Sequence, residues 1–517
     1  MGLLVAVLVL ATVARRLGVP YPILLVLGGL GLGFVPGLPE VELAPEIVFL
    51  LFLPPILFST AYFTDWRAFS ANRRPIFLLA FGLVLTTTAT VAVVAHAVVE
   101  GLSWPVAFVL GAIISPPDAV ATTAIVQRLG IPRRIVTVLE GESLVNDATA
   151  LVAYRFAVAA VVTGTFSLWE ASLRFVLVVA GGVAIRLVVG WILTRILARL
   201  HDPQVEITAT LLAPIAAYLP AEEVGVSGVL ATVVAGLYLG RRAPVLFPAA
   251  SRLRGAAVWD VTVFLVNGLV FILIGLQLPA VIEGLGERSV TDLAWSAVAV
   301  SLATILVRIA WVFPATYLPR RLFPRLRERD PSPPWQYPMV LSWAGLRGVV
   351  TLAAALALPL ETDAGVPFPD RDLVIFLAFC VILVTLVGQG LSLPPLIRRL
   401  GIRDDGVVVR DELLARREAT LAAMARLDDL LGEDWVPIES VRTLRARYEH
   451  RLEHFPATLD PADGDEVHLT AHERLRRDVL SVERRTVIAL RDRGAIGEEA
   501  LHRVQYDLDL AEERSEE

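Results

Sequence analysis

Apolar residues in this chain come in long blocks separated by short polar loops. Most blocks run to roughly 17–25 residues, the length of a helix that spans a bilayer. We read thirteen segments, at about 2–14, 20–35, 44–63, 75–99, 104–126, 135–162, 168–196, 204–219, 225–240, 256–278, 293–318, 337–358 and 373–396. The first is short, but it lacks the basic start and the small-residue cleavage site of a signal peptide, so it counts as a span. The pattern changes after Leu400. Residues 403–517 are dense in Arg, Asp and Glu, with helical apolar spacing at 413–431, 441–452, 475–490 and 501–510. Pro456, Pro461 and Gly464 interrupt that series. The expectation is an all-α membrane domain over 1–402 and a helical cytoplasmic domain over 403–517, either regulatory or simply solvated.

Composition excludes a large soluble protein. The 517 residues are 56% hydrophobic and 19% charged, with a mean hydropathy of +0.65. The one cysteine, Cys380, lies within an apolar block and can form no internal disulfide. The sequence contains no lysine, so all 46 basic residues are arginine. They are unevenly placed. One alternating set of loops holds Arg15, Arg16, Arg73, Arg74, Arg241, Arg242, Arg320 and Arg321, whereas the opposite set holds only Arg288 and Arg371 among acids. Arginine-rich loops stay in the cytoplasm, which puts the amino terminus outside the plasma membrane and the tail inside.

Charged side chains inside a span are costly and are functional or paired. Here they are Asp118, Glu140, Glu142, Asp147, Arg155, Arg186, Arg308 and Arg347. In the sixth segment, Glu142 and Asn146 share one helical face, and Ser143 and Asp147 share the next. Carboxylate, hydroxyl and amide oxygens are hard ligands suited to a dehydrated cation such as sodium. Asp147 can also hold a proton, because desolvation disfavours its charged form. The competing reading makes Asp147 a structural carboxylate beside a buried arginine. For Glu142 the ion-pair reading is the better one, with Arg308 as the leading partner.

The fifth segment contains Ile114-Ser-Pro-Pro-Asp118, and its two prolines predict a helix break. Broken helices at mid-membrane expose carbonyls and a positive helix start, both of which hold ions. Asp118 caps the second half-helix; direct contact with the ion is an open alternative. Gly345 and Gly348 flank Arg347 in the twelfth segment, which predicts a second break with Arg347 as a helix-end counter-charge. Segments five and twelve are seven apart, as in two inverted six-helix repeats joined by one linker span. His96, Asp260 and Asn267 read as interfacial, solvated and helix-bonding residues.

These residues carry a resemblance. Gly111–Thr122 with Ser-Pro-Pro-Asp, Leu139–Ala150 with Glu-Gly-Glu-Ser-Leu-Val-Asn-Asp, and Gly345–Val349 with Gly-Leu-Arg-Gly resemble the monovalent cation:proton antiporters of family 1. That family holds bacterial sodium/proton antiporters and animal sodium/proton exchangers. Leu53–Phe58 and Phe271–Gln277 also fit its pattern, and the likeness covers about residues 1–400.

The resemblance implies a homodimer in which a core domain moves against a dimerisation domain. It implies that Asp147 binds sodium or a proton, that Asn146 and Ser143 stand beside it, and that Glu142 pairs with Arg308. It also implies that the break at Pro117 and Asp118 crosses the second broken helix near the site. Two positions depart from the pattern. Ser59 replaces a frequent acid, and Pro117 replaces the threonine usual before the aspartate. Electrogenic relatives carry Asp-Asp and a buried lysine. Asn146-Asp147 and the absence of lysine therefore imply electroneutral exchange, by alternating access, of one sodium for one proton.

No enzyme activity, cofactor or nucleic-acid partner is expected; sodium, lithium or potassium, protons and the bilayer are. Competing readings are potassium/proton exchange, a cation channel, and an intramembrane protease using Asp118 and Asp147. The last lacks the Gly-x-Gly-Asp pattern such a protease would carry.

Overall fold

Proline, glycine and capping side chains set where the helices of the computed structural model begin and end. The structure describes residues 2–36, 48–126, 129–164, 195–197, 199–200, 202–224, 227–286, 288–431, 433, 435–453 and scattered positions from 479 to 505. Among these residues the regular elements are helical, and the one β contact is an isolated bridge between Glu361 and Pro367.

The helices are α1 (Gly2–Leu17), α2 (Tyr21–Gly33), α3 (Leu53–Phe63), α4 (Arg73–Val98), α5 (Trp104–Ile114), α6 (Ala119–Val126) and α7 (Arg133–Thr163). They continue as α8 (Pro203–Glu223), α9 (Gly228–Leu246), α10 (Ala249–Leu276), α11 (Val290–Leu322), α12 (Gln336–Trp343), α13 (Val349–Leu356) and α14 (Arg371–Arg399). Six described helical runs are long and apolar enough to cross a membrane: α4, α7, α9, α11, α14 and the run from Ala249 to Glu283. Helices lie over twelve of the thirteen expected segments. The seventh, at 168–196 with Arg186, falls almost wholly outside the described residues.

Local chemistry explains several boundaries. Asp202 accepts the amides of Gln204 and Val205 at 2.8 and 3.3 Å, with Pro203 opening α8. Ser227 caps α9 at Leu230. Gly164, at φ 68°, ends α7 in the left-handed conformation that glycine adopts without strain. Single π turns sit inside α4 at Leu78–Leu83 and inside α14 at Val384–Gln389, and another at Val48–Phe52 leads into α3.

Chain contacts divide the protein into Met1–Asp405 and Gly406–Glu517. Within the first unit the helices sort into two packing groups. One comprises α1, α2, α3, α8, α9 and α10; the other comprises α4, α5, α6, α7, α11, α12, α13 and α14. Helix α9 lies close on α3 because Gly236 carries no side chain: a Cβ there would sit 2.7 Å from the carbonyl of Phe58. In the second unit, α15 (Val407–Leu430) packs on α16 (Ile438–Glu453), burying Thr420 and Val441. Of the expected helix at 475–490 the described residues, 479, 482, 483 and 485–490, are helical, whereas 501–510 falls largely outside the described residues.

Candidate ion-binding site at two broken helices

The site is built by two interruptions and one continuous helix. Helix α5 stops at Ile114, Ser115–Asp118 is non-helical, and α6 resumes at Ala119. Helix α12 stops at Trp343, and α13 starts at Val349 after Gly345-Leu-Arg-Gly348. The interruptions meet. The amide of Asp118 donates to the carbonyl of Leu346 at 2.6 Å. The hydroxyl of Thr122 donates to the carbonyl of Ala344 at 3.1 Å.

Each interruption supplies the other's counter-charge. Asp118 accepts the amide of Val349, the first residue of α13, at 3.2 Å, and that of Ala121 in its own half-helix at 3.4 Å. An anion is stabilised at such helix starts. Arg347 donates through Nε to the carbonyl of Ile114 at 3.0 Å and through Nη2 to that of Ser115 at 3.4 Å, where α5 presents its negative end. It also donates to the carbonyl of Gly345, and its backbone amide donates to the hydroxyl of Thr385 at 3.1 Å. The approach requires Gly348, because a Cβ there would overlap the Asp118 carboxylate.

Helix α7 crosses beside this junction and carries Glu142, Ser143, Asn146 and Asp147. Glu142 and Arg308 of α11, each 1% exposed, form a two-bond ion pair at 2.5 and 2.8 Å. Arg308 Nε donates further to the carbonyl of Leu341 at 3.0 Å. Ser143 donates to the carbonyl of Pro117 at 3.3 Å, which ties α7 to the first interruption.

Asn146 and Asp147, 0% and 3% exposed, are different. Neither polar atom of the Asn146 side chain has a hydrogen-bond partner, and Oδ1 of Asp147 has none either. Among the described residues Asp147 makes no ion pair. Buried polar atoms without protein partners are expensive, which sets this pair apart from the fully bonded Glu142 and Arg308 beside it.

Asp147, Asp118 and Ser143 line one cavity of about 30 Å³, with Thr60, Leu53, Ile56, Leu57, Leu144, Val349 and Val350. That volume holds about two water molecules. Asn146 is off its lining. Ser59 is off it too, donating to the carbonyl of Ile56 at 2.9 Å. The hydroxyl-bearing residue that α3 brings to the cavity is Thr60, whose hydroxyl also donates to the carbonyl of Ile56 at 3.0 Å. The sequence reading passed over Thr60, although it lies one position beyond the segment that drew attention to Ser59. It also passed over Thr385, a hydroxyl in an otherwise apolar block.

Other charged and polar residues lie outside this cluster. Arg155 holds Glu222 of α8 at 2.7 and 2.8 Å. His96 bonds the carbonyl of Leu102 and stacks on Trp104, Asp260 is exposed, and Asn267 is buried with Oδ1 unpartnered. Glu140 is half-buried.

Residues 3–399 match the family model described as "Sodium/hydrogen exchanger, transmembrane". The chain belongs to the sodium/hydrogen exchanger family. It is thus a multi-pass membrane transporter of a family of antiporters, not of enzymes. The chain is 38% identical over 524 residues to a Mycobacterium tuberculosis protein named as an uncharacterized Na(+)/H(+) exchanger, covering 98% of this chain and 94% of the relative. It is 35% identical over 430 residues to the sodium, potassium, lithium and rubidium/H(+) antiporter of Bacillus pumilus, covering 80% and 63%. Its fold is similar to that of the sodium proton antiporter MjNhaP1 from Methanocaldococcus jannaschii, with a TM-score of 0.61 at 20% identity over 77% of this chain and 96% of that one.

Proposed function

We propose that the exchanger carries out electroneutral, one-for-one exchange of sodium for a proton at Asp147 by alternating access. One observation carries this reading: Asp147 is the buried carboxylate whose charge nothing in the cluster balances. Asp118 lies at the start of α13, and its charge is matched in number by Arg347 of the same junction, while Glu142 pairs directly with Arg308, so each of those negative charges has a positive one to offset it. One net negative charge remains, and either a proton or a monovalent cation neutralises it, never both. Asp147, Ser143, Thr60 and Asp118 supply oxygens around the cavity, and Asn146 and the Pro117 carbonyl stand behind them. Substrates bound at such a midplane site cross when one helix group moves against the other. The two packing groups fit the core and dimerisation domains of a homodimer, and segments five and twelve fit inverted repeats within thirteen spans. The arginine loops fit an outer amino terminus and a cytoplasmic tail in the plasma membrane.

Potassium/proton exchange is a second reading, favoured by the relative from Bacillus pumilus and by hydroxyls where an acid is frequent. The experiment is proton flux in proteoliposomes under sodium, lithium or potassium gradients, with wild type and Asp147→Asn. Wild-type flux that needs sodium, generates no voltage and vanishes in Asp147→Asn supports the proposal. A voltage generated by exchange sinks the stoichiometry, and normal exchange in the variant sinks the site.

A further inference from the structure

A second cavity, of about 310 Å³, lies among α3, α8, α9 and α10, outside the ion site. Glu206 of α8 lines it. This carboxylate is 2% exposed, its Oε2 accepts no hydrogen bond, and among the described residues it makes no ion pair. Ser251 of α10 lines the same cavity at 5% exposure, and its hydroxyl also has no partner. Neither group serves the exchange site, and neither satisfies a backbone atom. The cavity's one cationic side chain, Arg252, is engaged by the wall itself: it donates to the carbonyls of Phe247 and Pro244, two lining residues, at 2.6 and 3.4 Å, and makes no ion pair among the described residues.

We propose that this cavity binds a small organic monocation, an ammonium group carried on an apolar body. Size is the first reason. The space is about ten times that beside Asp147, and it reaches the lower bound of small-molecule sites, roughly 300 Å³. Chemistry is the second. A dehydrated metal ion needs several converging oxygens. The Thr210 hydroxyl is already used twice, accepting from Trp259 Nε1 at 3.2 Å and donating to the carbonyl of Ile207 at 2.7 Å. The carbonyls of Phe247 and Pro244 are taken by Arg252. The Thr64 hydroxyl donates to the carbonyl of Thr60 at 2.6 Å. Glu206, Ser251 and the Tyr62 hydroxyl remain, enough to receive the N–H groups of an ammonium but fewer than the full oxygen shell of a bare ion. Tyr62, Phe247 and Trp259 contribute aromatic surface, which suits an apolar body and a cation alike. Helix α3 links the two cavities, with Thr60 at the ion site and Tyr62 at this one.

The test uses the full chain in detergent carrying Asp147→Asn, so that the exchange site does not contribute. Thermal unfolding is followed against phenethylammonium chloride, its neutral analogue 2-phenylethanol, and sodium chloride at matched ionic strength. Phenethylammonium is expected to raise the midpoint saturably, with the two controls inert. Adding Glu206→Gln is expected to weaken binding by about tenfold or more. Gly255→Leu fills the cavity while keeping Glu206, since a Cβ at Gly255 meets only Ile207 at 3.7 Å, and it is expected to cause the same loss whether or not Glu206→Gln folds. Equal stabilisation by 2-phenylethanol or by sodium, or undiminished phenethylammonium binding in Gly255→Leu or in a folded Glu206→Gln, overturns the assignment.

Discussion

Asp118 and Arg347 each answer the helix end presented by the other's segment. The carboxylate receives the first amide of α13 at 3.2 Å, and the guanidinium reaches the last carbonyl of α5 at 3.0 Å. Replacing Asp118 by Asn keeps an acceptor and loses the charge, so the expected cost is about 1 kcal/mol. Replacing Arg347 by Met strands carbonyls in a dry interior, with an expected cost of about 2–3 kcal/mol. Thermal unfolding of the purified variants checks the order, and the reverse ranking would refute reciprocal compensation.

Glu142 and Arg308 are expected to behave as a unit. Removing one partner leaves a buried charge and should cost about 3–5 kcal/mol, whereas removing both in Glu142→Gln with Arg308→Met should recover much of the loss. A double-mutant cycle on unfolding midpoints measures this coupling. Additive effects would show that the pair is not coupled.

Gly348→Ala should abolish exchange, because its methyl group would occupy the position of the Asp118 carboxylate. The Glu142–Arg308 pair lies off that contact, so the variant should still fold into the membrane. Proton flux beside size-exclusion behaviour tests both halves; a folded variant with full flux would contradict the tight crossing.

Arg155 and Glu222 join α7 of one packing group to α8 of the other. If the groups move against each other, cysteines at these positions, in a chain whose Cys380 is replaced by Ala, should stop exchange when joined by a short cleavable crosslinker. Cleavage should restore it. Transport that continues through the crosslink would rule out relative motion there.

Asp65 lies in the loop after α3. Hydrogen bonds from the amide of Ala68 and from Arg133, together with the amide of Arg67, hold its carboxyl below the usual value of 3.8, against a smaller opposing effect of burial. Because the folded-state value is depressed, its contribution to stability is present above 3.8 and fades as pH falls further. Asp65→Asn should therefore flatten the acid limb of the unfolding curve. An unchanged limb would exclude this contribution.

The sequence exposed the parts of this architecture that rest on composition. Pro116-Pro117 and the Gly345/Gly348 pair announced the interruptions because proline and glycine act on backbone geometry directly. Glu142 and Arg308 were legible as partners because lone charges at that depth are too costly to leave apart. Contacts made by main-chain atoms were not legible in detail, since the carbonyls of Ile114 and Leu346 belong to residues with ordinary apolar side chains. The π turns in α4 and α14 also left no trace, because an apolar block is equally apolar in either winding. Thr60 rather than Ser59 faces the cavity for a similar reason: helix rotation decides, and neighbouring hydroxyls look alike along a chain.

The small volume beside Asp147 has a consequence for kinetics. Under the proposed mechanism, a cation entering about 30 Å³ of space would leave nearly all its hydration shell outside, on every cycle and from either face. Discrimination among alkali ions therefore turns on how well a few protein oxygens replace that lost water, and on how far α3 yields around a larger radius. Ion size should thus register in turnover as well as in affinity.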